Sequence, residues 1–271
     1  MTLTKLGSAR SLVTKAPAGL QHSRPMLHWQ RLDLLTSQRT AAISTRYLHA
    51  NWTRRKVWDP QTGECLHTLA HKHIVRSVAF PLQFTPGCVA TGGREKRLRI
   101  FDLTRGSTSS SPTSPNASGG GGAESSIEGH ELAPDTHGDT IKSVLWNVDY
   151  NIITTADNNN LRWFDLRSQK PIFTFKTKDE IMSCELNTLQ TMGNGNPGVI
   201  SVAAGKSCYF FDGGRPGEML KKMDFDQDIA SVAINPRTRK VVTGGKNETW
   251  ARVWDLQSEE ELGKVLVWSR F

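Results

Sequence analysis

No run of about 18 consecutive apolar residues occurs in this chain, so no helical membrane span is expected. There is no Cys-x-x-Cys pair. Cys65, Cys88, Cys184 and Cys208 are scattered and fall mostly in or beside predicted strands, which makes a metal set or a disulfide framework a poor reading. Buried, reduced thiols are expected, and they suit a cytoplasmic or nuclear protein. Catalytic signatures are also missing. There is no Gly-x-Ser-x-Gly, no His-Glu-x-x-His and no Cys-His pair in a recognisable setting. The stretch from Gly193 to Gly198 lacks the Lys-Ser/Thr ending of a phosphate loop and reads as a hairpin loop. His71-Lys72-His73 reads as a loop between sheets rather than a metal site. Asp224, Asp226 and Asp228 lack the Gly turn and terminal Glu of a calcium loop. The expectation is therefore no enzyme, with no catalytic, cofactor-binding or metal residues.

Acidic residues are scarce at one end. Residues 1–56 hold ten Lys and Arg against the single acid Asp33, a charge of +9. The whole chain carries +8, so residues 57–271 are close to neutral at −1. That balance argues against direct nucleic-acid binding by the main body of the chain. Residues 1–55 are expected to be a disordered basic segment, with an alternative reading as a mitochondrial targeting sequence. Residues 106–126, GSTSSSPTSPNASGGGGAESS, lack the apolar content to form a core and are expected to be a disordered surface insert. Ser111-Pro112 and Ser114-Pro115 within it match proline-directed kinase sites, although a neutral spacer explains them as well. The Asn-x-Ser/Thr triplets at Asn51, Asn116 and Asn247 should stay unmodified in a protein that is never secreted.

What the chain does contain is a repeat. Aromatic–Asp pairs recur at Trp58-Asp59, Phe101-Asp102, Phe164-Asp165, Phe211-Asp212 and Trp254-Asp255. Their spacings are 43, 63, 47 and 43 residues, and the long gap falls to 42 once the 21-residue insert is set aside. A period of about 40–45 residues ending in Trp-Asp is the signature of a four-stranded WD-type propeller blade. Alternation in Leu98-Arg99-Ile100-Phe101 and Ala251-Arg252-Val253-Trp254 is the period-2 pattern of strands. Gly92-Gly93 and Gly244-Gly245 are read as supplying the backbone freedom of a tight hairpin.

The densest apolar segments, 75–80, 141–146, 181–186 and 229–234, are expected to be the innermost strands. Second strands are expected at 88–92, 151–155, 199–203 and 240–244. Third strands end at the aromatic–Asp pairs. Outer strands are expected at 66–70, 125–128, 171–176, 219–225 and 261–268. Residues 56–271 thus form one partial propeller domain. The expected fold is all-β, an incomplete WD-repeat β-propeller of about four full blades and half of another, out of seven.

The segments TLAHKHIVRSVAF (68–80) and TGGREKRLRIFDL (91–103) resemble the serine-threonine kinase receptor-associated (unr-interacting) protein family. So do IKSVLWN (141–147), ADNNNLRWFDLRS (156–168), GKSCYFF (205–211) and IASVAINPRTRKVVTGGKNE (229–248). The resemblance covers about residues 56–262. It implies a seven-bladed, non-catalytic scaffold within the survival-of-motor-neuron complex, which loads Sm proteins onto spliceosomal RNAs for pre-mRNA splicing. Gemin, survival-of-motor-neuron and Sm proteins are the implied partners, in cytoplasm and nucleus, with no small-molecule substrate. An i-like subunit of translation initiation factor 3 and a receptor-signalling adaptor are the alternatives. Relative to the family, the first blade and most of the second are replaced by the basic segment, and the chain ends early. A truncated product that folds poorly alone is the expectation.

The WD likeness also implies a structural set in each blade. A His before the inner strand bonds an acid in the hairpin between strands two and three. Counting back six residues from each aromatic gives Glu95, Asn158 and Glu248. The His candidates are His71 or His73, and His130 or His137. The loops 70–74, 129–140, 176–180 and 226–229 are the expected contact surface.

Overall fold

A computed structural model describes residues 42–44, 54–82, 87–104, 126–188 and 198–266. The basic residues 1–41, most of the Ser/Gly/Pro insert, Asn51, Asn116 and residues 193–197 lie outside the described residues. Every described element is a strand, and no described helix is long and apolar enough to cross a membrane.

The strands run in chain order as β1 (Ala42–Ser44), β2 (Arg54–Trp58), β3 (Cys65–Ala70), β4 (Val75–Ala79), β5 (Cys88–Gly93) and β6 (Leu98–Asp102). Two short strands follow, β7 (Ser126–Ile127) and β8 (His130–Leu132). Then come β9 (Ser143–Trp146), β10 (Ile152–Ala156), β11 (Asn160–Asp165) and β12 (Lys170–Lys176). Next are β13 (Ile181–Asn187), β14 (Val199–Ala204), β15 (Ser207–Asp212) and β16 (Met219–Asp224). The last four are β17 (Ile229–Asn235), β18 (Lys240–Gly245), β19 (Trp250–Asp255) and β20 (Glu261–Leu266). They form five four-stranded sheets: β1-β2-β3-β7, β4-β5-β6-β8, β9 to β12, β13 to β16 and β17 to β20. The fold is the all-β WD β-propeller class.

The first two sheets differ from the sequence expectation. Ser126 and Ile127, expected on the outer edge of the second sheet, instead pair in parallel with Thr68 and Leu69 on the edge of β3. The outer strand of the second sheet is β8, three residues further on. Ala42–Ser44, inside the segment set apart as basic, pairs with Lys56–Trp58 and gives the first sheet an additional strand. Residues 125–128 had looked like an outer strand because they follow β6 in order. Sequence order does not reveal that a strand has crossed to the neighbouring sheet.

Alternation decides which sheet each side chain meets. Val57 and Leu69 pack with Val89 and Phe101 between the first and second sheets. Ala90 and Leu98 pack with Ile141, Val144, Ile153 and Phe164 between the second and third. Trp163 and Leu161 meet Ile200, Val202 and Phe211 between the third and fourth. Phe210 and Cys208 meet Ile229, Val232 and Val241 between the fourth and fifth. Neighbours such as Val89 and Ala90, or Ile152 and Ile153, therefore point into different interfaces, because successive residues of a strand face opposite sides. Burying each large apolar side chain contributes about 1.5–3 kcal/mol, so the stability lies between sheets rather than within them.

Gly92 and Gly93 have a different role from the hairpin freedom expected of them, since neither has a positive φ. A Cβ on Gly93 would sit 2.2 Å from the Ile74 carbonyl oxygen, and one on Gly92 would sit 2.6 Å from Ile141 Cγ2. Close approach of the next strand and the next sheet is what requires glycine there. The left-handed residue of that hairpin is Lys96, with φ 61°.

Candidate functional site

The five aromatic–Asp pairs share one geometry on one rim. Each Asp Oδ1 accepts the backbone N–H two residues on: Gln61 for Asp59, Thr104 for Asp102, Arg167 for Asp165, Gly214 for Asp212 and Gln257 for Asp255, all at 2.8–2.9 Å. This Asx-type bond closes the turn into the outer strand. The aromatic ring points the other way, into the preceding sheet. Phe101, Phe164 and Phe211 are fully buried, and Trp254 is partly buried. Their ring partners are His71 at 5.1 Å, His137 at 5.4 Å, Trp163 at 5.3 Å and Phe225 at 4.9 Å respectively. Trp58 keeps its indole N–H without an acceptor.

The other rim carries the acidic set. In the second sheet, Glu95 accepts the backbone N–H groups of Lys72 and His73 and bonds Arg99 Nε at 2.8 Å. Burial opposes its ionisation, but those donors hold Glu95 below its usual range. His71 lies beside it and is pulled down to about 4, first by burial and then by Arg99 and Arg55, against the attraction of Glu95. It is neutral at physiological pH.

In the third sheet the acid is Asp157, not Asn158. Asp157 contacts Arg162 Nη1, accepts the N–H of Asn160 at 3.0 Å and lies 3.7 Å from His137 Nδ1. The Asp157 and His137 side chains are each only 1% exposed. Burial alone would raise Asp157, yet the bonds from His137, Arg162 and Asn160 outweigh it and hold the carboxyl well below the carboxylate range. The count of six fails because the acid takes a different place in a shorter hairpin: Thr91 and its partner Arg99 are eight positions apart with Glu95 in mid-loop, whereas Thr155 and Arg162 are seven apart and Asp157 directly follows β10. Asn158 instead meets Lys142 Nζ with its Oδ1 at 3.5 Å.

The histidine placement also needs correction for His130. It lies exposed on β8, paired with Ile100, so it is part of an outer strand and not of the loop beyond. His137 takes the loop position. In the fifth sheet Glu248 bonds Arg252 through both oxygens, at 2.6 and 3.0 Å, and Phe225, on the ring of Trp254, stands where the second and third sheets have His71 and His137. The Arg252 bond is the main reason Glu248 is held low. The three arginines, Arg99, Arg162 and Arg252, each stand two residues before the aromatic. Sequence reasoning passed over that regular spacing.

The rim loops are tied across sheets. Lys96 Nζ donates to the Gly138 carbonyl at 2.7 Å, linking the second hairpin to the next loop. Lys142 Nζ donates to the Ile181 carbonyl at 2.7 Å and contacts Glu180. Along the inner strands, Ser77 Oγ accepts the Val144 N–H at 2.9 Å and Ser183 Oγ accepts the Val232 N–H at 3.4 Å. These bonds fix the loops as a rigid surface between blades.

Chemically the arrangement holds structure. The buried carboxylate is neutralised by arginine. Burial pushes the Cys184 thiol up strongly and Cys208 up to about 12, so neither is a nucleophile. Cys65 is exposed, contrary to the expectation of burial, because it sits at the start of an outer strand. Asp224 is taken up by Lys222 and Ser207. Among the described residues, no three His, Cys, Asp or Glu side chains converge to hold a metal ion.

Residues 63–102 match the family described as WD domain, G-beta repeat. That span joins the outer strand of one sheet to the inner three of the next, the chain path seen here from β3 to β6. The chain is similar to proteins named serine-threonine kinase receptor-associated protein. It is 28% identical over 207 residues to that of Gallus gallus and 29% to that of Mus musculus, covering 76% of this chain and 50% of each relative. Likeness to the Dictyostelium discoideum protein is 27% over 209 residues, 76% of this chain and 60% of that protein. The chain spans about half the length of the vertebrate relatives it matches.

Proposed function

We propose that this chain is a non-catalytic protein-interaction scaffold acting in the survival-of-motor-neuron complex, in the assembly of spliceosomal ribonucleoproteins and hence in pre-mRNA splicing. The observation that carries the reading is the likeness to the serine-threonine kinase receptor-associated proteins over three quarters of the chain. The geometry supports the scaffold part: among the described residues, Glu95, Asp157 and Glu248 and their arginines hold the hairpins and loops of one rim. Gemin and Sm proteins are the proposed partners, met through the rim loops 70–74, 129–140, 176–180 and 226–229. The proposed compartments are cytoplasm and nucleus.

The relatives' own name favours a second reading, an adaptor that associates with a serine-threonine kinase receptor. A third is an i-like subunit of translation initiation factor 3. Affinity purification of the tagged chain from its own cells, with mass spectrometry, separates them. Gemin, survival-of-motor-neuron or Sm proteins support the first reading. Receptor kinases support the second and initiation-factor subunits the third. Chaperones alone overturn all three for this polypeptide. Imaging of the same tagged chain tests the compartments.

A further inference from the structure

The outer edge of the first sheet already accepts a strand that comes from elsewhere in the chain. β7 joins β3 in parallel through Ser126 and Ile127. In the sequence this pair is bracketed by Glu124 and Glu128. The equivalent edge of the third sheet is β12, a terminal strand with an open side. It is the longest outer strand described, at seven residues. Ile172 and Phe173 on it are 50% and 42% exposed. Ile172 is the extra residue of a bulge, skipped between the Trp163–Phe173 and Phe164–Pro171 pairs. From 166 to 178 the chain carries Arg167, Lys170, Lys176 and Lys178 and no acid. Among the described residues, Lys170 and Lys176 make no ion pair or side-chain hydrogen bond.

The other outer edges are short or have their charges paired, although β16 and β20 also expose apolar residues, Met219 and Leu220, Leu262 and Val265. Lys221 of β16 is held by the Gln257 carbonyl and Glu259 of the next sheet's turn. Glu261 of β20 pairs with Arg252. β8 has three residues. An open, apolar strand edge between two uncompensated cations is a template for a further strand.

We propose that β12 is a docking edge for an extended peptide segment of a partner protein, apolar at its centre and acidic at both ends, which adds alongside residues 172–176 as a fifth strand. Backbone hydrogen bonds give the affinity, Ile172 and Phe173 hold the apolar side chains, and Lys170 and Lys176 meet the acids. The proposal rests on the scaffold reading only in taking the partner to be a protein.

The test uses the full 271-residue chain and a fluorescein-labelled probe peptide, Glu-Val-Thr-Val-Thr-Val-Glu, read by fluorescence anisotropy and by amide hydrogen exchange. Expected are saturable binding and slowed exchange within 170–176. K170E/K176E should weaken binding about tenfold, as two exposed ion pairs turned repulsive would. Ile172→Asp should weaken it further, and Lys240→Glu on the fifth sheet should leave it unchanged. These are exposed positions, and matching thermal melts establish that the variants fold. Absence of saturable binding, protection at another edge, or indifference to K170E/K176E overturns the proposal. So does preference of the edge for a labelled single-stranded RNA over the peptide. In cells, unchanged co-purification with K170E/K176E overturns the docking edge alone, whereas loss of all partners from the unaltered chain overturns the scaffold reading.

Discussion

Trp254 Nε1 donates to Thr243 Oγ1 at 2.8 Å, and the threonines at the same register in two other sheets have no such donor. Thr91, Thr155 and Thr243 lie opposite Arg99, Arg162 and Arg252 respectively. In the second and third sheets the aromatic is Phe101 or Phe164. Thr91 Oγ1 and Thr155 Oγ1 are consequently buried without a partner. Thr243→Val should cost about 1 kcal/mol, the value of one hydrogen bond. Thr155→Val, which removes an unpaired buried hydroxyl at nearly constant shape, should be neutral or stabilising by about the same amount. Urea unfolding of the two variants checks this, and equal effects would remove the distinction.

Acid should weaken the fold in two separate windows. His71 is lowered to about 4 by burial, while an unfolded His titrates near 6.5. The unfolded state therefore binds the proton first, and stability present above about 6.5 is lost as pH falls toward 4. Asp157 is held below the ordinary carboxylate range, so its contribution is present above about 4 and lost only below it. His71→Phe should flatten the upper window and Asp157→Asn the lower. Melting temperatures against pH from 7 to 3 separate them.

Breaking the buried pair should be costly at any pH near neutrality. Asp157→Ala leaves Arg162, whose side chain is 12% exposed, without its carboxylate. A loss of about 3–5 kcal/mol is expected. Glu248→Ala in the more open, solvent-screened fifth sheet should cost much less. Denaturant midpoints compare the two.

How much of this was legible in the sequence depends on how local the cause is. Phe164-Asp165 announced both a buried ring and a turn because alternation and the Asx bond act within a few residues. The inner strands were placed by their apolar residues, but they alternate between buried and exposed positions, and it is the second strands β5, β10 and β14 that are buried on both faces. Asp157 was misplaced by one position because hairpin length is set by register, which no single sequence displays. β7 was misassigned because its partner, β3, is 58 residues away from Ser126 at Thr68. Gly93 was recognised as special, but its true neighbour, the Ile74 carbonyl, lies just before β4, nineteen residues earlier.

Serine positions on the inner strands give a further contrast. Ser77→Ala removes the acceptor of the Val144 N–H and should cost about 1 kcal/mol. Ser231 has the same place on β17 but is exposed with no described partner, so Ser231→Ala should change stability by less than about 0.5 kcal/mol. Thermal melts check both, and a loss at Ser231 as large as that at Ser77 would contradict the assignment.

Thiol labelling offers a direct reading of the stack. Cys65 should react with a maleimide at once, and Cys184 and Cys208 only on unfolding. Peptide mapping after timed quenching distinguishes them.

The path of β7 has a mechanical meaning. The chain passes between the first and second sheets three times, from β3 to β4, from β6 to β7 and from β7 to β8, and between each later pair of sheets once. That first boundary is sewn rather than merely glued. A cut in the insert leaves two threads across it, whereas a cut at any later boundary leaves none. Pulled from its ends, the stack should come apart at its other seams first.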